Sequence, residues 1–199
     1  MCTLYLSGNK NNDEGGVCNN YTETMRKFSK ILIANRGEIA LRIIRAARAM
    51  HIAVVAIYSD EEKQALYVQQ ADEAYSLDSG SLGNTYLNIE KIISIARKSS
   101  ADAIHPGYGF LSENPIFASA CNENGITFIG PGVNVLNQTG NKTQAKAIAK
   151  LAGVPVPEAV AFEPSDFNIS ELPDFRFPLM IKAAHGGGGK GMQLVNSKA

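Results

Sequence analysis

The sequence is short of cysteine, of net charge and of long apolar runs, and each shortage excludes a class of protein. Its three cysteines, Cys2, Cys18 and Cys121, are odd in number and lack C-x-x-C spacing. That excludes a disulfide framework and a zinc site built on such spacing, and it fits a reducing compartment. Nineteen Lys plus Arg balance nineteen Asp plus Glu, so the basic footprint of a nucleic-acid binder is missing. Apolar runs such as Ala53 to Tyr58 fall far short of the roughly 18–20 residues that span a bilayer, and a soluble chain with no membrane partner is expected. A secretory or transit-like start is missing too, because Asp13, Glu14 and Glu23 interrupt the first stretch. The expected compartment is the cytoplasm, or the mitochondrial matrix in a eukaryote.

What is present is a globular balance: 199 residues, 45% hydrophobic and 19% charged, enough for one or two domains with a real core. Residues 1–28, rich in Asn and Gly and without period, read as a disordered leader. From Lys30 the chain alternates between short β-branched runs and amphipathic stretches. Strands are expected from Lys30, at Ala53 to Tyr58, Glu73 to Leu77, Ala101 to Ile104 and Thr127 to Ile129. Helices are expected after Gly37, near Ala65 to Ala71, Tyr86 to Lys98 and Pro115 to Asn124. Such βα alternation predicts an α/β fold, a Rossmann-like parallel sheet with helices on both faces. Two further helices, near Val133 to Asn137 and Lys142 to Ala152, lead into a second unit. There a short strand near Val160 and strands at Pro178 to Ala184 and Met192 to Val195 are expected.

The run Gly186-Gly-Gly-Gly-Lys-Gly191 is the strongest local signal, since consecutive glycines let backbone N–H groups approach a phosphate chain. It is not a Walker A loop, because Gly191 stands where Ser or Thr would follow Lys190. A flexible hairpin tip is the plainer alternative. Lys182, in the apolar run Leu179 to Ala184, either meets an anion or snorkels from an edge strand. Lys142 opens a helix, where a cation is disfavoured by the helix dipole unless an anion is near. Asn35-Arg-Gly-Glu38 follows the first strand, where such sheets hold ligands; it either approaches phosphate or is a turn fixed by an Arg–Glu pair. His105-Pro-Gly-Tyr-Gly-Phe-Leu-Ser-Glu-Asn114 looks built to present backbone to a ligand, with His105 equally readable as a satisfied core histidine.

Taken with Ile33 to Arg42, Ala71 to Ala74, Tyr86 to Ile89, Phe128 to Pro131, Ala152 to Pro155 and Ile181 to Met192, these motifs closely resemble the N-terminal part of biotin carboxylase. That enzyme is the ATP-grasp component of acetyl-, propionyl- and methylcrotonyl-CoA carboxylases and of pyruvate carboxylase. The resemblance runs from about Lys30 to Ala199 and divides the chain into a Rossmann-like domain, residues 29–140, and a helical linker with the start of an ATP-grasp domain, residues 141–199. It implies that MgATP and bicarbonate form carboxyphosphate, whose carboxyl group passes to N1′ of carrier-bound biotin.

By that resemblance Lys142 and Lys182 match two phosphate-binding lysines, and Gly188 and Gly189 the backbone contacts of a closing hairpin over ATP. Tyr108 and Gly109 match the loop against the biotin ureido ring, and Arg42 and Arg45 the homodimer contact. The implied partners are a biotin carboxyl carrier and a carboxyltransferase. The family's Mg²⁺-binding glutamates, bicarbonate-binding arginine and catalytic base fall beyond Ala199, so no catalytic or metal-binding residue is expected here and the chain alone is expected to be inactive. The alternatives are a non-catalytic interaction module that pairs with full-length subunits, and another ATP-grasp ligase such as one forming carbamoyl phosphate.

Overall fold

The computed structural model describes residues 28–157, 159–160, 177–182 and 192–197. The leader expected over 1–28 lies outside these apart from its last residue, as does the glycine-rich run 186–191. Five strands, β1 (Lys30–Ile33), β2 (Ala53–Tyr58), β3 (Glu73–Ser76), β4 (Ala103–His105) and β5 (Thr127–Phe128), form one sheet in the order β3-β2-β1-β4-β5. Every pairing in it is parallel, with Leu32 opposite both Val55 and Ile104. The helices are α1 (Gly37–Ala49), α2 (Leu66–Gln70), α3 (Ile89–Lys98), α4 (Pro115–Glu123), α5 (Val133–Gly140) and α6 (Lys142–Leu151).

The inner strands β1, β2 and β4 read as largely apolar runs because both faces of the sheet are covered there, whereas the edge strand β3 does not. Side chains alternate across each strand. Leu32, Val55, Ile57 and Ile104 therefore pack with Ile92 and Ala96 of α3 and Phe117 of α4. Ile31, Ile33, Val54, Ala56 and Ala103 meet Ala40, Ile43, Ile44 and Ala47 of α1 and Tyr67 of α2 on the other face. The spacing of those α1 residues is one helical stripe, which leaves Arg42 and Arg45 exposed on its other side.

Asparagines start three helices by accepting from free N–H groups of the first turn. Asn88 accepts from Lys91 N, Asn114 from Ile116 and Phe117 N, and Asn141 from Thr143 and Gln144 N. The cap at Asn88 corrects one expectation: the helix begins at Ile89, and Tyr86 is buried in the preceding turn. Val160 itself is exposed and lies in no strand, and most of the segment around it, where a short strand is expected, lies outside the described residues. In the second unit β6 (Leu179–Lys182) and β7 (Met192–Val195) pair antiparallel, with Lys182 opposite Met192.

Because β1 has β2 on one side and β4 on the other, the connections that follow β1 and β4 leave in opposite directions. In sheets of this topology the crevice beyond the carboxyl ends of two such strands is the usual ligand position. Both sequence-singled loops, 35–38 and 106–114, begin there.

Candidate functional site

Asn35, at the end of β1, is 1% exposed and spends its whole side chain on backbone. Its Nδ2 donates to Pro106 O at 2.7 Å and to Tyr108 O at 2.9 Å, and its Oδ1 accepts from Arg36 N at 2.9 Å. The two carbonyls flank Gly107, whose φ of +66° favours glycine. A Cβ there would stand 2.7 Å from both Asn35 Nδ2 and Ile39 Cγ2. Gly109 has φ +70°, and nothing lies within 4 Å of where its Cβ would be. Its backbone therefore faces open space, which fits the approach of a flat ligand.

Tyr108 is 64% exposed, and its hydroxyl donates to Glu38 Oε1 at 2.8 Å. That bond raises the phenol pKa above its ordinary value. Of the two readings of the 35–38 turn, the one with an Arg–Glu pair inside it is not what forms. Arg36 pairs instead with Glu62 at 3.4 Å, and its guanidinium lies 5.5 Å from the centres of both the Tyr86 and Phe110 rings. His105 is half-buried, and its Nδ1 accepts from Gly107 N at 3.0 Å. Burial lowers its pKa, so it is a neutral, hydrogen-bonded part of the loop.

Beneath Arg36 lies a polar network that the sequence did not announce. The Tyr86 hydroxyl donates to Glu62 Oε2 and accepts from Ser59 N at 3.0 Å. The Tyr67 hydroxyl lies 3.1 Å from that of Tyr86 and 3.2 Å from Glu62 Oε2. Burial is the main cause that pushes both phenol pKa values up; Tyr86 and Glu62 add to it at Tyr67, whereas at Tyr86 the Glu62 carboxylate adds to it and the bonds with Tyr67 and Ser59 N pull the other way. Glu62, Tyr67 and Tyr86 sit in three separate segments, so no local motif marks them.

The two expected lysines belong to other elements, α6 and β6. Lys142 is the first residue of α6 and half-buried. Lys182 ends β6 and is exposed, as an edge-strand lysine would be. Gly188 and Gly189 lie outside the described residues. No group of three His, Cys, Asp or Glu side chains able to hold a metal ion occurs among the described residues, nor does any helix long and apolar enough to cross a membrane. The crevice thus offers an exposed aromatic and open backbone rather than a nucleophile–base pair.

Two family profiles match the chain: "Biotin carboxylase, N-terminal domain" over residues 27–136, and "Carbamoyl-phosphate synthase L chain, ATP binding domain" over residues 141–199. A biotin carboxylase of a Nostoc species is 50% identical over 86% of this chain and 39% of its own length. The mitochondrial methylcrotonoyl-CoA carboxylase subunit alpha of rat is 48% identical over 86% of this chain and 24% of its own. Among solved structures, the biotin carboxylase domain dimer of the Hydrogenobacter thermophilus 2-oxoglutarate carboxylase, in complex with MgADP, ADP and bicarbonate, superposes with a TM-score of 0.79. It shares 44% identity, over 86% of this chain and 38% of that one. The Campylobacter jejuni biotin carboxylase complex with β-γ-ATP gives a TM-score of 0.78 at 41% identity, over 86% of this chain and 39% of that one. The chain spans less than half the length of each of these four relatives.

Proposed function

The chain belongs to the biotin carboxylase family, and on that premise we propose that it supplies the biotin-facing loop and part of the ATP-facing surface of an enzyme that carboxylates carrier-bound biotin. The observation that carries this reading is the loop after β4, where exposed Tyr108 and the open backbone of Gly109 stand at the switch point of the sheet. In the proposed reaction bicarbonate takes the γ-phosphoryl group of ATP to give carboxyphosphate and ADP. The carboxyl group then passes to N1′ of biotin as its bond to phosphate breaks, and the N1′ proton goes to the departing phosphate.

Tyr108 and Gly109 are proposed to lie against the ureido ring. Lys142 and Lys182 are proposed to hold phosphate oxygens as point charges, and the backbone of Gly188 and Gly189 to close over the same phosphates. Mg²⁺, when bound, neutralises charge on the phosphates; no described residue is assigned to it. Residues 29–140 are proposed as one unit and 141–199 as a linker with part of an ATP-grasp domain. The 199 residues by themselves are proposed to be inactive.

The proposed partners are the biotin carboxyl carrier, a carboxyltransferase and a second copy of the subunit, met through Arg42 and Arg45, both exposed on α1. If dimerisation of the completed enzyme survives Arg45→Glu, that interface is wrong. The proposed compartment is the cytoplasm, or the mitochondrial matrix in a eukaryote; the rat relative is named as mitochondrial.

The test is ATP hydrolysis with bicarbonate and free biotin, measured on the 199-residue chain and on the same chain joined to the remaining part of a biotin carboxylase. Biotin-dependent hydrolysis by the joined protein only is expected. Hydrolysis without biotin carboxylation by the joined protein would favour another ATP-grasp ligase, and turnover by the 199 residues alone would overturn the inactivity.

A further inference from the structure

The Asn35–Glu38 turn has no part in the reaction as proposed above, yet it touches the loop after β4 at nearly every residue of its bend. Asn35 bonds the carbonyls on both sides of Gly107, and Gly107 has no room for a Cβ against Asn35 and Ile39. Arg36 lies over the ring of Phe110, a non-glycine residue at φ +42°, a backbone conformation that needs outside support. Glu38 accepts the hydroxyl proton of Tyr108.

We propose that this turn is the positioning element of the ligand loop: Asn35 sets the backbone through Tyr108, and Glu38 sets the Tyr108 phenol, so that together they fix where a planar ligand is held. The proposal rests on the reading of Tyr108 and Gly109 as a biotin face. Asn35 suits the task because only a primary amide offers two donors and an acceptor in a side chain this short; an isosteric Asp would leave both loop carbonyls facing an oxygen. Glu38 is exposed on the first turn of α1, so its bond to Tyr108 is dispensable to the core and acts on an exposed ring. Both are positioning residues, since they act through Tyr108 and the loop backbone.

The experiment compares the 199-residue wild type with Glu38→Ala and Asn35→Asp by tyrosine-selective carbon-13 NMR and amide hydrogen exchange. Glu38→Ala is expected to bring the Tyr108 titration down towards the ordinary tyrosine value, with the amides of Leu32 and Ile104 as protected as before. Asn35→Asp is expected to speed exchange at Gly107 and Ser112, whose N–H groups are bonded within the loop, by about tenfold or more, the effect of losing roughly 1.4 kcal/mol. Over the same variants Leu32 and Ile104 are expected to change less than about twofold, because the strands open in a separate event. A uniform rise through the strands, or a loop unchanged in both variants, overturns the proposal. If Asn35→Asp does not fold, Glu38→Ala decides alone.

Free biotin titrated into the wild type and both variants of the joined protein tests the underlying reading separately. Shifts at Tyr108 and Gly109 in the wild type, weakened about threefold or more in each variant, are expected. A wild type that ignores biotin, while the loop responds to the substitutions as above, refutes the biotin reading and leaves the positioning role standing. Biotin binding of equal strength in all three proteins refutes positioning.

Discussion

The rings of Tyr86 and Phe110 stack 5.2 Å apart and 7° from parallel, and they join the turn before α3 to the loop after β4. Each ring is held by something else as well: Tyr86 by its hydroxyl in the Glu62 network, Phe110 by the Arg36 guanidinium. The stack therefore links a buried polar cluster to the exposed Tyr108 two residues away.

Two substitutions separate these contributions. Phe110→Leu keeps an apolar side chain but removes the ring, with an expected cost of roughly 0.5–1.5 kcal/mol from the lost aromatic pair. Tyr86→Phe keeps the stack but leaves Ser59 N and Glu62 short of a partner, with an expected cost of roughly 1–3 kcal/mol. Urea denaturation monitored by circular dichroism measures both. Equal stability of Tyr86→Phe and wild type would mean that the network adds nothing.

Alkaline pH is expected to weaken the fold through the same cluster. The Tyr67 and Tyr86 phenols have pKa values raised in the folded protein, whereas in the unfolded chain they ionise near an ordinary value of about 10. Below about pH 10 both states are protonated and the contribution is fully present. Above that, the unfolded chain loses protons that the folded one keeps, so stability falls as pH rises. Urea midpoints taken from neutral pH to mildly above pH 10 should show the fall, and Tyr67→Phe should flatten it. A fall of the same steepness in that variant would place its cause elsewhere.

The two glycines around Tyr108 are expected to respond unequally to alanine. Both have positive φ, which costs an L-residue roughly 1–2 kcal/mol. At Gly107 the new Cβ must also displace Asn35 or Ile39, whereas at Gly109 it enters open space. Gly107→Ala should therefore be the less stable protein in thermal melts, and Gly109→Ala should fold well yet bind biotin more weakly. The reverse order of stability would contradict the geometry of the bend.

Lys182 is exposed on a two-stranded hairpin, so its loss should spare the fold. In the completed enzyme Lys182→Ala is expected to raise the KM for ATP about tenfold or more, as for the loss of a hydrogen bond to a charged group, with the KM for biotin unchanged. Steady-state kinetics with each substrate varied in turn measures it. An unchanged KM for ATP would remove Lys182 from the phosphate surface, and the same assay applied to Lys142→Ala tests its partner.

The legible parts of this chain were those set by local patterns. The six-residue run Ala53–Tyr58 is bounded as expected because it is apolar throughout and stops at polar Ser59 and Asp60. The α1 stripe was equally plain. Tyr86 was misassigned because its spacing to Ile89 and Ile93 imitates a helical face, while Asn88 stops the helix short by capping it. The crevice loops could be located from the βα order alone, but not their mutual contacts. Asn35 meets Pro106 across 71 positions, and Glu62 meets Tyr86 across 24, distances at which no periodicity speaks. For the same reason Arg36 looked like a partner for Glu38, its neighbour in sequence, when the fold offers it Glu62.

The parallel pairing of β1 with β4 has a kinetic consequence. Asn35 can meet Pro106 and Tyr108 only after a long stretch of chain has closed and β4 has docked beside β1, and closing so large a loop is entropically slow. On the proposal that Asn35 holds this loop, the amides of Gly107 and Ser112 are expected to become protected no earlier than those of Leu32 and Ile104 in a refolding chain. The bend at Tyr108 is thus a late reporter, whose order certifies that the middle of the sheet has already been assembled.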